Sequence, residues 1–220
     1  MNKFVSWFCH IFLKPIVKIL FIKEVKGWEN IPKRNFILAP NHSSHLDQLA
    51  TGYVCVPRKF HYIGQIDRYR GTDRILVNIL YFVAGVIKVH RKNEESKKEA
   101  VEKSIEVLKK GASLIIYPEG TRTRNGKIGE GKLGITKIFL KSGVPILPVG
   151  IKGTFELMPP GTSFPKIKRE VVINIGKPLF FEEELNRAQK ISEDSIEYQE
   201  ILEKITKRVM EEIATLVERA

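Results

Sequence analysis

From residue 36 to residue 176, short apolar runs alternate with longer segments of helical period, and this alternation constrains the fold more than any other feature. FILAP (36–40), FHYIGQ (60–65), VIKV (86–89), SLIIYP (113–118), PILPVGI (145–151) and VVINIG (171–176) read as strands. Between them, 46–56, 73–83, 94–110 and 133–143 read as helices, the last two closed by Gly111 and Gly143. MPPGTSFPK, before the last strand, reads as a loop from its Pro and Gly content. A final helix is expected over 193–218, with Tyr198, Leu202, Ile205, Val209, Ile213 and Leu216 on one face. Strands alternating with helices predict an α/β fold with a mostly parallel central sheet flanked by helices. The 220 residues suffice for one such domain, and no linker, repeat or low-complexity tract divides them.

The amino terminus, MNKFVSWFCHIFLKPIVKILFIK, follows different rules. It lacks the small-residue cleavage site of a secretory signal, and Lys14, Pro15 and Lys18 interrupt its apolar run, which makes it a poor spanning helix. Asn2, Ser6, His10, Lys14 and Lys18 recur every four residues, a polar stripe on a helix whose other faces carry Phe4, Trp7, Phe8, Phe12 and Phe21. That pattern predicts an amphipathic segment lying in a membrane interface, kinked or split at Pro15. The alternative is a helix packed on the protein's own core. The expected organisation is a docking segment over 1–26 and a catalytic domain over 27–220.

Lys and Arg exceed Asp and Glu by 12, which points to an anionic surface or a phosphate-bearing partner. The basic residues are scattered, with no aromatic-interleaved platform, so nucleic acid is not expected as a partner. Cys9 and Cys55 lie in apolar runs and suggest no disulfide framework, which fits a reducing compartment.

Three stretches carry candidate chemistry. In NHSSHLDQ (41–48), His42 and Asp47 are five apart and would diverge by about 140° within one helix. They meet only if His42 lies in a loop and Asp47 in the first helical turn. Ser44-x-x-Asp47 also matches a capping box, so cap and catalytic pair remain equal readings here; His42, His45 and Asp47 would make a crowded metal site. In IIYPEGTRTRNG (115–126) a strand runs out into Glu119, Gly120, Thr121 and Arg122, where sheets of this class place ligands and where an arginine can clamp phosphate. In VIKVHRKN (86–93), Arg91 ends a strand in the same way. GEGKLG (129–134) matches a dinucleotide fingerprint in letters only, because the strand it requires is missing before it. No G-x-S-x-G elbow is present, which disfavours an ordinary serine hydrolase.

Together these stretches resemble the glycerolipid acyltransferases, above all the bacterial lysophosphatidic acid (1-acyl-sn-glycerol-3-phosphate) acyltransferases. NHSSHLD fits that family's N-H-x4-D signature at His42 and Asp47; GVIKVHR, with Gly85 and Arg91, fits its second motif; EGTR, Glu119 to Arg122, its third; and VPILPVGI (144–151), with Pro148, its fourth. The order is the family's, over about Gly27 to Gly176. Thr123 replaces the serine that often follows EGTR, and Gly131 and Gly134 flank Lys132 where bulkier or more basic residues are usual. The amino-terminal segment is short for the family's membrane-docking helices.

The resemblance implies His42 as general base on the hydroxyl of a lysophospholipid, with Asp47 orienting the imidazole. It implies Arg122, helped by Glu119, Gly120 and Thr121 and assisted by Arg91, at the acceptor phosphate. Acyl-CoA or acyl-ACP would serve as co-substrate, with no cofactor, no metal and no acyl-enzyme, and acyl carrier protein would be a partner if it carries the donor. The implied setting is peripheral, on anionic phospholipid at the cytoplasmic face of the cell membrane. A different acceptor (glycerol 3-phosphate, another lysophospholipid or a lyso-aminolipid), a lipid hydrolase and a non-catalytic charge-driven binder are the competing readings.

Overall fold

The computed structural model describes residues 3–65, 85–90 and 92–220. The helix expected at 73–83 and Arg91 lie outside the described residues. Seven strands form one sheet: β1 (Ile22–Lys26), β2 (Ile37–Pro40), β3 (Phe60–Gln65), β4 (Ile87–Val89), β5 (Ser113–Ile115), β6 (Ile146–Lys152) and β7 (Val171–Ile175). Their spatial order is β1-β7-β6-β2-β5-β3-β4. All neighbours are parallel except β6 and β7. The expected mostly parallel α/β sheet is therefore present.

The central strands read as unbroken apolar runs because both their faces are covered. Successive β2 residues point to opposite sides. Leu38 joins a core with Phe36, Ile115, Leu147 and Val149, while Ile37 joins a second core with Leu114, Ile135, Ile146 and Leu202. The first core is closed by α1 (Lys3–Phe8), a π-helical turn (Cys9–Leu13), α2 (Lys14–Leu20) and α3 (Asp47–Cys55). The second is closed by α4 (Glu94–Lys109), α5 (Gly134–Ser142) and α8 (Ile196–Glu218). Tyr198, Leu202, Ile205, Val209 and Ile213 of α8 are buried as their spacing requires. Two short helices, α6 (Thr154–Leu157) and α7 (Glu182–Ala188), and a 3-10 turn (Trp28–Asn30) complete the described elements.

The amino-terminal segment ends earlier than its expected bound at residue 26. Ile22–Lys26, assigned to the docking segment, forms edge strand β1, with Val17, Phe21 and Ile22 in the main core. Of the polar stripe, Ser6 and Lys14 turn inward while Lys18 is exposed. Ser6 is buried and donates to the Arg58 carbonyl at 2.6 Å, and Lys14 lies over the Tyr53 and Trp28 rings at 4.8 and 5.1 Å. Burial holds the Lys14 ammonium below its usual range. Phe4, Trp7, Phe8, Ile11, Phe12, Ile16 and Ile19 are left facing outward. The helical path is divided into α1, the π-helical turn and α2, with Pro15 in the first turn of α2. The wider turn over Cys9–Leu13 precedes it and absorbs the missing N–H and the bulk of its ring.

Candidate active site

Because β2, β3, β4, β5 and β6 are mutually parallel, their carboxyl ends share one end of the sheet. The loops after β2, β5 and β6 converge there, as ligand-binding loops do in such sheets. The chain leaves β2 through Asn41, whose amide acts as one more rung of pairing with β6. Its Nδ2 donates to the Ile151 carbonyl (2.9 Å) and its Oδ1 accepts the Ile151 N–H (2.7 Å). That double bond sets where the chain turns and where His42 begins.

His42 lies in the loop and Asp47 is the first residue of α3, the arrangement their spacing demanded. His42 Nδ1 meets Asp47 Oδ2 at 2.9 Å, with Asp47 fully buried and the His42 side chain 13% exposed. A carboxylate oxygen opposite Nδ1 places the ring proton there and leaves Nε2 as the basic nitrogen. The same Asp47 oxygen accepts the N–H groups of Ser43 (2.7 Å) and Ser44 (2.8 Å). Half of the capping box therefore exists, since Asp47 reaches back to the Ser44 amide. The Ser44 hydroxyl instead donates to the Met158 carbonyl at 2.7 Å. Cap and imidazole orienter are one carboxylate in two tasks. His45 is exposed, and among the described residues no group of His, Cys, Asp and Glu is placed to hold a metal ion.

The loop after β5 holds His42 from both sides of its backbone. Glu119 Oε1 accepts the His42 N–H at 2.6 Å, and the Thr123 N–H donates to the His42 carbonyl at 2.9 Å. The second oxygen of Glu119 accepts the Gly129 N–H at 2.8 Å. Glu119, expected beside the acceptor phosphate, thus has both carboxylate oxygens on backbone amides and ties the His42 loop to the turn after β5. Burial pushes its carboxyl above the usual range, against the pull of those two amides. Gly120 closes the turn with its N–H on the Tyr117 carbonyl (3.0 Å) and φ +67°, a left-handed conformation suited to glycine. Thr121 is exposed and Arg122 half-buried immediately beyond.

Three contributors were missed from sequence: Asn41, Tyr117 and Lys132. The Tyr117 ring stacks on the His42 imidazole, centroids 3.9 Å apart and planes 19° from parallel. Burial first, then the neighbouring Tyr62 and Asp47, pushes its phenol far up, so a neutral aromatic face meets the imidazole. Lys132 is exposed on a segment fastened to the Glu119 turn, its N–H on the Pro118 carbonyl at 2.8 Å, and the space above Gly120 leads to its side chain. The GEGKLG stretch, rejected as a fingerprint, therefore borders the site. Asn41 opens the N-H-x4-D signature and Lys132 stands between Gly131 and Gly134, whereas Tyr117 is signalled only by its place before Pro118.

A buried carboxylate, an imidazole bonded to it and a basic rim share the strand ends, an arrangement able to take a proton from a hydroxyl beside an anionic group. A family model described as Acyltransferase matches residues 23–152, more than half of the chain. The chain belongs to the acyltransferase family. A 1-acyl-sn-glycerol-3-phosphate acyltransferase of Borreliella burgdorferi is 38% identical over 151 residues, 66% of this acyltransferase and 58% of that protein. The chloroplastic 1-acyl-sn-glycerol-3-phosphate acyltransferase BAT2 of Brassica napus is 28% identical over 162 residues, 71% of this chain and 45% of its own. The chain spans about half the length of the curated relatives it matches. The crystal structure of the 1-acyl-sn-glycerophosphate (LPA) acyltransferase PlsC from Thermotoga maritima superposes with a TM-score of 0.65 at 29% identity. That match covers 96% of this acyltransferase and 80% of PlsC.

Proposed function

We propose that this acyltransferase moves an acyl group from a thioester to the free hydroxyl of lysophosphatidic acid, giving phosphatidic acid. The observation that carries the reading is the 2.9 Å bond between His42 Nδ1 and Asp47 Oδ2, made beside the Glu119–Arg122 turn. The names of the relatives supply the acceptor. His42 Nε2 takes the hydroxyl proton as the oxygen attacks the thioester carbonyl. Asp47 stabilises the resulting imidazolium. The tetrahedral centre collapses, the C–S bond breaks, and the imidazolium returns its proton to the departing thiolate. A thiolate leaves readily, so the chemistry needs neither acyl-enzyme nor metal nor cofactor. Acyl-CoA or acyl-ACP is the donor.

Arg122 holds the acceptor phosphate, with Lys132 at the same rim. Arg122→Ala is expected to raise KM for lysophosphatidic acid about tenfold to a hundredfold, with KM for the acyl thioester nearly unchanged. An effect on the donor alone would move Arg122 to the other substrate. The function itself is tested by one acyl thioester offered with lysophosphatidic acid, glycerol 3-phosphate and other lysophospholipids in parallel. Highest turnover with lysophosphatidic acid is expected; preference for another acceptor would replace the substrate and keep the chemistry.

The protein works as a peripheral enzyme on anionic phospholipid at the cytoplasmic face of the membrane. Among the described residues no helix is long and apolar enough to cross a bilayer. The support is the outward row of Phe4, Trp7, Phe8, Ile11, Phe12, Ile16 and Ile19, apolar area that water disfavours and an interface accepts. Deleting the segment would also remove Val17 and Phe21 from the core, so substitution is the cleaner test. Phe8→Ser with Phe12→Ser is expected to weaken vesicle binding about tenfold or more without lowering Tm. Unchanged binding would remove the helix from the membrane.

A further inference from the structure

The segment between α6 and β7 carries two of the most exposed apolar side chains in the described structure, Phe164 at 85% and Ile167 at 71%. Nothing in the proposed chemistry uses them. Their loop is held firmly at its base. The Lys166 N–H bonds the Leu157 carbonyl at 2.9 Å, and Thr162 bonds the Pro159 carbonyl through both its N–H (3.2 Å) and its hydroxyl (2.8 Å). Water-facing phenylalanine and isoleucine on a braced loop mark a contact surface rather than a frayed segment.

The position of the loop narrows its partner. One root is tied to the catalytic loop, through the Ser44 hydroxyl on the Met158 carbonyl and the Ser43 hydroxyl against Thr154 at 2.9 Å. The other root is tied to the end of α2: Arg169 Nε donates to the Ile22 carbonyl (3.2 Å) and the Val171 N–H to the Phe21 carbonyl (2.9 Å). Because β7 runs antiparallel to β6 and β1 parallel to β7, the end of α2 and this loop both enter the sheet at its catalytic end. Exposed Lys166, Lys168 and Arg169 interleave with or flank the apolar pair, Lys168 also pairing with Glu170, and exposed Lys18 and Lys23 lie across the junction. Apolar tips with basic flanks complement the two layers of an anionic bilayer surface, acyl chains below and phosphates above.

We propose that Phe164 and Ile167 form a second foot that this protein sets into anionic phospholipid, beside the mouth of the active site and continuous with the apolar row of α1 and α2. The inference rests on the reading of the protein as a peripheral membrane enzyme. Two contacts at the catalytic end fix the tilt of the sheet and hold the His42 loop at headgroup depth, where a lysophospholipid presents its hydroxyl.

The test is flotation of the full chain with phosphatidylcholine vesicles containing a minority of phosphatidylglycerol. The loop variant Phe164→Ser with Ile167→Ser is compared with the helix variant Phe8→Ser with Phe12→Ser. The loop variant is expected to bind about tenfold to a hundredfold more weakly. Its turnover on a water-soluble short-chain acceptor should match that of the unaltered protein. Undiminished vesicle binding by the loop variant overturns the second foot, and a weakened helix variant beside it leaves the helix reading standing. A weakened loop variant beside an unaffected helix variant supports the foot and removes the helix instead. Lost turnover on the soluble acceptor with vesicle binding intact also overturns it, and places Phe164 and Ile167 on the acyl path.

Discussion

His42→Ala is expected to abolish acyl transfer while the protein stays folded. The substitution removes Nε2, and positioned general bases contribute about a hundredfold to ten-thousandfold. It also removes the imidazolium on which Asp47 acts, so the loss should reach the upper part of that range. The fold should survive because the position is held through its backbone, by Glu119 on the N–H and Thr123 on the carbonyl. What is lost structurally is a stacked ring pair and one hydrogen bond, together about 1–3 kcal/mol. Turnover and Tm measured on the same sample decide it. Near-normal turnover would return the NHSSHLD stretch to a helix cap.

Asp47→Asn separates the two tasks of that carboxylate. Its Oδ2 accepts three N–H groups, whereas among the described residues its buried Oδ1 has no hydrogen-bond partner. An asparagine can place its carbonyl oxygen at the crowded site and its NH2 in the unpartnered position. The Ser43 and Ser44 amides would then keep an acceptor, weakened by the loss of charge. Stability should fall by about 1–2 kcal/mol, the difference between charged and neutral hydrogen bonds. The rate should fall on the order of a hundredfold to ten-thousandfold, because a neutral amide stabilises no imidazolium and no longer enforces the tautomer. Rate and stability falling in proportion would leave only the capping role.

The parts of this arrangement legible in sequence are those set by local period. Apolar runs announced strands covered on both faces, and five-residue spacing required His42 in a loop and Asp47 in a first turn. What depends on strand order was not legible. Glu119 reaches a backbone 77 residues away, and Asn41 pairs with a residue 110 away, because β5 and β6 flank β2 in space. Helical period put Ser6, His10 and Lys14 on one stripe but could not say which face turns inward. Packing against Arg58, Tyr53 and Trp28 decided that. Strand β1 escaped notice because IKEVK is short, charged and at the sheet edge, where lysines are favoured.

The most direct test follows thiol and lipid together when the purified protein meets a labelled acyl thioester, with and without lysophosphatidic acid. Expected is thiol release only when acceptor is present, matched mole for mole by labelled phosphatidic acid, and lost in His42→Ala. Free fatty acid formed without acceptor, or phosphatidic acid formed undiminished by the alanine variant, would contradict direct transfer driven by the imidazole.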